Sequence, residues 1–411
     1  MLIPYPINKM HLPKIQKEEK YMLTSLAIIF LAGLLLGKIF QKIGLPSLVG
    51  MMMAGILVGP SVGNLMDTTM IEIAPSLRQF ALVIILTRAG LSLNIQSLKK
   101  VGRPAFLMCF VPACFEIAGV VLLAPILLSV RRTEAAIIGA VIAAVSPAVI
   151  VPRMIHLMEE GYGKKNSIPQ MILAGASVDD VFVIVLFTAF TALEGNQGVS
   201  IYSFLSIPIS IVLGIAVGYV AARGIGVLFE KAVLSSVQKL LVVLSVSFFM
   251  LQLETALKGI VPISGLLAVM SIGLTFYQKK PELAKELSKR YNALWVAGET
   301  ILFVLVGTAV DLAYVKQAGR MAVLLVVCAL VFRMAGVFIC VLGTKLTKKE
   351  RLFCMLAYTP KATVQAAIGA TPLAMGLACG NTVLTVAILS ILITAPFGAI
   401  AIDSSYKKLL V

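Results

Sequence analysis

Charged residues are scarce in this chain. They make up only 13% of its 411 residues, whereas 59% are hydrophobic. A water-soluble domain of that composition would expose large apolar patches, so a soluble globular protein is excluded. Histidine is scarcer still, with two in the whole chain, and the six cysteines show no metal-ligand spacing to them. A Cys/His metal centre is therefore not predicted, and the cysteines are interpreted as small buried hydrophobic residues.

Apolar runs of about 20 residues recur from Tyr21 to the C-terminus, and each is long enough to span a bilayer as a helix. The alternation typical of outer-membrane strands is lacking, and backbone groups in lipid must be satisfied within each helix. We therefore predict an all-α polytopic membrane protein with about thirteen transmembrane helices. Residues 1–20 are polar and lack a cleavage site, which predicts an N-terminal arm outside the membrane rather than a removed signal peptide.

Basic residues outnumber acidic ones, 35 against 19, which gives a formal net charge of +16. Most Lys and Arg lie in short loops between apolar segments, so this charge indicates membrane topology rather than nucleic-acid binding. The Lys and Arg residues are concentrated in the loops on the side that carries the C-terminus. The positive-inside rule predicts a multi-pass protein of the cell inner (plasma) membrane with a cytoplasmic C-terminus and the N-terminus outside. We therefore expect the protein to be surrounded by membrane lipid and not to bind nucleic acid.

A spaced motif occurs twice. GxxxNxxxxKxxGR begins at Gly90 and GxxxDxxxxKxxGR at Gly307, with a constant offset of 217 residues. The offset spans an odd number of predicted segments, which reverses the direction of the second copy. We therefore predict two inverted six-helix repeats, as in many secondary transporters; a duplicated bundle without that role is the alternative. The predicted boundaries are 1–20 for the arm, 21–193 for repeat 1, 194–235 for a linker segment, 236–402 for repeat 2 and 403–411 for a cytoplasmic tail.

Prolines interrupt two equivalent segments. The fifth contains VSPAVIVP, with Pro147 and Pro152, and its repeat partner contains YTPKATVQ, with Pro360. Proline removes a helix N–H and clashes one turn back, so we predict unwound stretches that face a cavity. Freed carbonyls there would attract a cation. Hydroxyl ligands are offered by Ser146, Thr359 and Thr363.

Placing a charged side chain at bilayer depth costs at least about 2.5–3.5 kcal/mol, so each such residue is expected to have a structural or functional role. Asp179 and Asp180 lie within the apolar segment ILAGASVDDVFVIVLFTAF. A carboxylate pair beside broken helices is a hard-oxygen site for Na⁺ or Li⁺ and, since burial favours a neutral carboxyl, also a proton site. A structural pair neutralised by fixed cations is the alternative. Glu116 and Arg333 also differ by 217 and are predicted to form a buried structural ion pair between the repeats.

Three further basic residues lie in apolar segments. Lys361 follows Pro360 directly, and a buried ammonium can release a proton, whereas an arginine cannot. For Arg78 and Arg88 the sequence offers no partner, so we expect them to reach the membrane surface or to pair at an interface.

The segments VSPAVIVPRM, GYGKKNSIPQMILAGASVDDVF and TPKATVQAAIGA strongly resemble the NHA branch of the cation/proton antiporters. The resemblance covers nearly the whole chain after Met22. It implies a sodium (or lithium)/proton antiporter with a mobile core domain, a dimerisation domain and crossed broken helices. Such a protein would work as a homodimer by an elevator-type mechanism and without a cofactor.

The same resemblance assigns roles to individual residues. Asp180 is implied as the main ion and proton carboxylate, and Asp179 as its neighbour, salt-bridged to Lys361. Glu116 and Arg333 resemble the family's other buried pair. Arg333 stands where better-known electrogenic relatives place a lysine, which leaves the proton stoichiometry open.

Three other functions are alternatives. A sodium-coupled organic-solute carrier of the same fold would need a polar solute pocket, whereas this sequence offers mostly carboxylates and hydroxyls. An intramembrane aspartyl protease needs two aspartates on separate helices, but these are adjacent, so an enzyme is not predicted. A channel is not favoured because no selectivity-filter repeat is present.

Overall fold

The computed structural model describes residues 14–92, 102–195, 201–257 and 260–410, and within these ranges every regular element is an α-helix. The predicted all-α fold is confirmed. The helices of the first half are α1 Lys14–Lys42, α2 Ser47–Val58, α3 Thr68–Ser92, α4 Arg103–Met108, α5 Val111–Leu128, α6 Arg132–Ala143, α7 Pro147–Glu160 and α8 Ile168–Gly195. Those of the second half are α9 Ile201–Lys231, α10 Ser236–Ala256, α11 Gly265–Lys279, α12 Pro281–Thr308, α13 Leu312–Val341, α14 Lys348–Ala357, α15 Thr363–Ile368, α16 Thr371–Ala374 and α17 Gly380–Leu409.

Ten helical stretches among the described residues are long and apolar enough to cross a membrane. Two of them combine a helix pair, α4 with α5 and α6 with α7. The other predicted spans coincide with shorter helices, namely α2 with 12 residues, α11 with 15 residues, and the interrupted α14 and α15. The protein is therefore a multi-pass membrane protein, and the count of thirteen spans stays a prediction.

Both chain ends are more helical than predicted. Helix α1 begins at Lys14, within the predicted arm, and α17 continues to Leu409, within the predicted tail. The apolar pattern marks only the part of a helix that is surrounded by lipid. Residues such as those of KIQKEEK are strong helix formers and extend α1 beyond that part. Residues 1–13 lie outside the described ranges.

The helices pack into two groups. One group contains α1 to α3 and α9 to α12, and the other contains α4 to α8 and α13 to α17. Packing within each group is extensive, above all between α5 and α13 in the second, whereas few contacts join the two groups. Both interrupted segments belong to the second group.

Two close helix crossings in the first group depend on glycine. A Cβ on Gly307 of α12 would lie 2.9 Å from the Cα of Gly55 in α2, and a Cβ on Gly90 of α3 would lie 3.1 Å from the Cα of Gly273 in α11. Only hydrogen at these positions lets the backbones approach so closely. Gly90 and Gly307 are the first residues of the repeated motif, so the motif marks both crossings. Its Asn94 and Lys99 lie outside the described residues.

The chain unwinds at two places that contact each other. Helix α6 ends at Ala143 and α7 starts at Pro147, while α14 ends at Ala357 and α15 starts at Thr363. The backbone N–H of Ser146 donates a hydrogen bond of 2.7 Å to the carbonyl of Pro360, which joins the two interruptions. Pro147 occupies the first helical position, where its missing N–H costs nothing.

Pro152 does not interrupt its helix, contrary to the sequence-based prediction. Helix α7 runs through it to Glu160. A proline in a membrane helix removes one backbone hydrogen bond, and the remaining bonds hold the helix together with at most a kink. The break thus lies only on the N-terminal side of Pro147.

Candidate functional site

The interruptions leave carbonyl oxygens at two helix C-termini inside the protein. Such carbonyls have no partner within the helix and carry partial negative charge. Lys361 Nζ lies 2.5 Å from the carbonyl of Ile142, near the end of α6, and Arg333 donates to the next carbonyl, that of Ala143. Arg333 Nε also donates to the carbonyl of Tyr358, at the end of α14, over 2.7 Å. Buried cationic side chains therefore supply hydrogen bonds to the free carbonyls at both helix ends.

Arg333 joins two carboxylates as well as the two helix ends. Its Nη1 lies 3.0 Å from Glu116 of α5, and its Nη2 lies 2.8 Å from Asp179 of α8. The side chains of all three residues are fully buried. The planar guanidinium suits this role because its donors point in several fixed directions. The structure thus brings Glu116 and Arg333 together, with Asp179 as an additional partner.

Lys361 binds Glu116 rather than Asp179, which corrects the partner implied by family resemblance. Its Nζ lies 2.6 Å from one oxygen of Glu116 and 2.8 Å from the other. The backbone N–H of Lys361 is fixed by the hydroxyl of Thr394 over 2.9 Å. From this position the side chain extends to the end of α6 and to α5, while Arg333 occupies the side of Asp179.

Asp179 and Asp180 have different surroundings, as expected for neighbours that point about 100° apart on a helix. One oxygen of Asp179 accepts hydrogen bonds of 2.8 Å from both Arg333 and the backbone N–H of Val145. Asp180 is 9% exposed and takes part in no ion pair among the described residues. The charges of Glu116, Asp179, Arg333 and Lys361 balance, so Asp180 is the carboxylate left without a fixed counter-charge.

Several buried oxygens around the interruptions lack a hydrogen-bond partner among the described residues. They belong to Ser146, Thr363, Asp179, Asp180 and Gln365. Buried polar atoms normally have partners, so this group of unsatisfied oxygens is a candidate site for an ion or for water. Carboxylate, hydroxyl and amide oxygens are the ligands that a hard cation prefers.

Two residues of this region differ from the sequence-based prediction: Thr359, which was predicted as an ion ligand, and Gln365, which was not predicted. Thr359 donates its hydroxyl to the carbonyl of Leu356 over 2.8 Å and so completes its own helix end. Gln365 was not predicted, although it lies four residues after Lys361 in the segment PKATVQAA. Its amide nitrogen donates to the carbonyl of Ala144 over 2.8 Å, so it supports the interruption of the other repeat.

Comparisons with known proteins show which family the chain belongs to. The family model described as the transmembrane sodium/hydrogen exchanger matches residues 26–403. Human sodium/hydrogen exchanger 9B2 is 32% identical over 408 residues, which cover 94% of this chain and 75% of the human protein. Mouse sodium/hydrogen exchanger 9B1 is 32% identical over 410 residues, which cover 94% of this chain and 71% of the mouse protein. This chain belongs to the sodium/hydrogen exchanger family.

A solved structure shows the same fold. The sodium proton antiporter MjNhaP1 from Methanocaldococcus jannaschii at pH 8 aligns with a TM-score of 0.81, covering 97% of this chain and 99% of that chain. Its sequence identity to this exchanger is 19%. Together with the family model and the similar exchangers, this fold confirms the resemblance to cation/proton antiporters that the motifs indicate. The family consists of transporters, which excludes the aspartyl protease, and an exchanger needs no cofactor.

A cavity of about 870 Å³ opens between the two helix groups of the exchanger. Its wall includes Phe187 and Thr188 of α8, Gln79 of α3 and Gln252 of α10. Asp180 precedes Phe187 by seven residues on the same helix, a rise of about 10 Å. On α8 the cavity is lined from Phe187 to Ala192, so it lies about 10 Å along the helix from Asp180.

The two arginines of α3 lie apart from the interruptions. Arg78 donates to the carbonyl of Leu305 over 3.4 Å. Arg88 donates to Asn292 over 2.8 Å and lies 5.2 Å from the ring centre of Trp295. All three partners belong to α12, so both arginines join α3 to α12.

The cysteine prediction holds for most positions. Cys109, Cys340, Cys354 and Cys379 are buried, and Cys328 is half-buried. Cys114 is exposed on α5, so the prediction of burial is wrong there. A small apolar side chain on a membrane helix can face lipid or the protein interior at similar free energy. Composition alone therefore cannot predict whether such a cysteine is buried in the protein.

Proposed function

We propose that this exchanger moves Na⁺ (or Li⁺) in one direction and H⁺ in the other, and that Asp180 carries both ions in turn. The observation that carries the proposal is the balanced group formed by Glu116, Asp179, Arg333 and Lys361, which leaves Asp180 buried without a cation. A buried carboxylate without a counter-charge is costly, so it must bind either a proton or a metal cation.

The neighbouring oxygens complete a cation site in this proposal. Ser146 and Thr363 contribute hydroxyls, and Asp179 contributes the oxygen that Arg333 does not hold. A cation that binds there displaces the proton of Asp180, and a proton that returns displaces the cation. Because a single carboxylate alternates between the two, neither ion crosses without the other.

The proposal predicts one proton per cation. Lys361 has Glu116 at 2.6 Å and the Ile142 carbonyl at 2.5 Å in the described state, so both its neighbours stabilise the ammonium form. In this proposal Lys361 keeps its proton, and Asp180 provides the exchanged proton. Exchange of one Na⁺ for one H⁺ moves no net charge.

We propose that the second helix group, α4 to α8 with α13 to α17, is the mobile core of an elevator-type mechanism. Support comes from the few contacts between the groups and from the placement of both interruptions within the second group. The first group would then serve as the dimerisation domain of a homodimer. The inverted-repeat plan, the plasma-membrane location and the cytoplasmic C-terminus belong to the same proposal.

The test is exchange by purified protein in liposomes that contain a pH-sensitive dye. An imposed Na⁺ gradient should drive proton movement in wild type, and clamping the membrane potential at different values should leave the rate unchanged. Asp180→Asn should insert and fold but lose the exchange. Asp311→Asn is the matched control, because Asp311 caps α13 through its side-chain oxygen and asparagine caps equally well. Wild-type exchange by Asp180→Asn would refute the assignment.

A further inference from the structure

Three successive carbonyls at the end of α6 each accept a hydrogen bond from a different buried side chain. The three pairs of donor and carbonyl are Lys361 with Ile142, Arg333 with Ala143, and Gln365 with Ala144. Two of these donors are cations that also bind the buried carboxylates. Gln365 is neutral, so charge balance does not explain why it lies inside the protein at this point.

The amide of Gln365 is held on one side only. The residue is 1% exposed. Its Nε2 donates to the carbonyl of Ala144 over 2.8 Å and lies 3.4 Å from the carbonyl of Ile142, whereas its Oε1 has no hydrogen-bond partner among the described residues. A buried amide with an unsatisfied oxygen costs free energy, and methionine would fill a similar volume without that cost. Packing alone therefore does not account for a glutamine here.

The peptide between Ala144 and Val145 connects Gln365 to Asp179. Its carbonyl accepts from Gln365, and its N–H donates to Oδ2 of Asp179 over 2.8 Å. The peptide is trans, so its carbonyl and its N–H point in opposite directions. Gln365 and Asp179 thus hold the same peptide from opposite sides. The hydrogen bond from Gln365 fixes the rotation of this peptide and, with it, the direction of the Val145 N–H.

That N–H is one of two groups that orient the carboxylate of Asp179. Its Oδ2 accepts hydrogen bonds of 2.8 Å from Arg333 Nη2 and from the backbone of Val145. Two donors fix the orientation of a carboxylate, whereas a single donor leaves it free to turn. The other oxygen, Oδ1, has no partner among the described residues and is the one assigned above to the cation. Hydrogen bonds in such a chain also polarise and strengthen one another.

We propose that Gln365 is a positioning residue for the cation site and acts on Asp179 through the peptide between Ala144 and Val145. Gln365 belongs to α15 of the second interruption, and the peptide belongs to the first. The affinity for Na⁺ then depends on how the two interruptions are held together. This effect on affinity rests on the proposed cation site, whereas the chain of hydrogen bonds does not.

The chain of hydrogen bonds is tested first, without transport. Q365M keeps the length of the side chain and removes the donor. Deuterium uptake at the backbone of residues 144–146, measured by mass spectrometry in Na⁺-free detergent solution, should become about tenfold faster because the Val145 N–H loses its fixed direction. Q170M is the matched control, since Gln170 lies on α8 nine residues before Asp179 and its Oε1 also lacks a partner among the described residues. Q170M should leave this uptake as in wild type. Equal uptake in Q365M and wild type would overturn the proposal.

Antiport in liposomes then separates the affinity from the rate. Q365M should raise the half-saturating Na⁺ concentration about tenfold and change the maximal rate less than about twofold. A glutamine that only stabilised the fold would lower the amount of active protein and leave half-saturation unchanged, so that result would contradict the proposal. Antiport by Asp180→Asn would refute the shared ion site. Loss of antiport in Asp180→Asn together with unchanged half-saturation in Q365M would refute only the role of Gln365.

The conservative variant Q365E separates hydrogen-bond donation from side-chain shape. Glutamate is as long as glutamine, and its neutral form has one O–H donor, whereas its ionised form has none. The half-saturating Na⁺ concentration of Q365E, divided by that of wild type at the same pH, should therefore be about one at low pH. The same ratio for Q365M should stay near ten at every pH, because methionine does not titrate. Should Q365M fail to fold, Q365E is used for both measurements. A Q365E ratio that stays near ten down to low pH would rule out donation by Gln365 as the cause.

Discussion

Arg333 and Lys361 should contribute very differently to the stability of the exchanger, although both are fully buried cations that bind Glu116. Arg333→Met removes donors from Glu116, Asp179 and two helix-end carbonyls at once. Lys361→Met leaves Glu116 with Arg333 and affects one carbonyl, that of Ile142, which Gln365 also approaches at 3.4 Å.

The contacts give the size of the difference. Removing one member of a buried ion pair costs about 3–5 kcal/mol, and a buried carbonyl that loses its donor costs about 1–3 kcal/mol more. Arg333→Met should therefore lose at least about 5 kcal/mol, from the lower ends of these ranges: ~3 kcal/mol for the ion pair and ~1 kcal/mol for each of the two carbonyls. Lys361→Met also removes one cation of the balanced group, but Glu116 keeps Arg333 and the Ile142 carbonyl keeps Gln365, so its cost should lie near the lower end of the same ~3–5 kcal/mol range. Arg333→Lys keeps the charge, but one ammonium cannot reach all four acceptors, so its stability should lie between those of Arg333→Met and wild type.

The assay is thermal unfolding in detergent, followed by the fluorescence of Trp295, the one tryptophan of the chain, which lies on α12 outside the site. Arg320→Met is the matched control because Arg320 is an exposed arginine of the same helix as Arg333. It should melt as wild type does. Equal losses for the Arg333 and Lys361 variants, or a stable Arg333→Lys, would refute the four-acceptor account.

Two further predictions concern other parts of the fold. Gly307→Ala should destabilise by about 1–3 kcal/mol, because its Cβ would lie 2.9 Å from Gly55, whereas Gly224→Ala, with open space around it, should not; equal melting temperatures would contradict the close crossing. Burial opposes ionisation of Glu350, but hydrogen bonds from Thr347 and Asn166 outweigh it and hold its pKa below 4.5. Its contribution to stability is complete above pH 4.5 and is lost as the pH falls through the lower folded-state pKa, so Glu350→Gln should melt with less acid dependence in this range. Identical acid profiles would contradict this assignment.

Much of the site was accessible from sequence because charge is so costly in a membrane. Asp179, Asp180, Glu116, Arg333 and Lys361 all stand out within apolar segments, and all but Asp180 belong to one buried group. The repeat offset correctly indicated that Glu116 and Arg333 lie together. A long apolar run and a constant offset are properties of the chain itself, so they need no tertiary information.

The partner of Lys361 could not be derived in this way. Asp179 and Glu116 are both buried carboxylates, and the choice between them depends on how α5, α8 and the second interruption pack. Gln365 was missed because a glutamine in an apolar segment has no charge to mark it. Pro152 was overinterpreted because a proline predicts a lost hydrogen bond, while the surrounding helix decides whether the backbone unwinds.

The most direct test of the shared site is the number of protons released when a cation binds. Detergent-solubilised protein is titrated with Na⁺ in weakly buffered solution, at a pH where Asp180 is protonated, and the released protons are counted. The shared site predicts about one proton per bound cation by mutual linkage, a lower release as the starting pH rises, and none from Asp180→Asn. Cation binding to wild type without proton release over the whole pH range would contradict it and would require separate paths for the two ions.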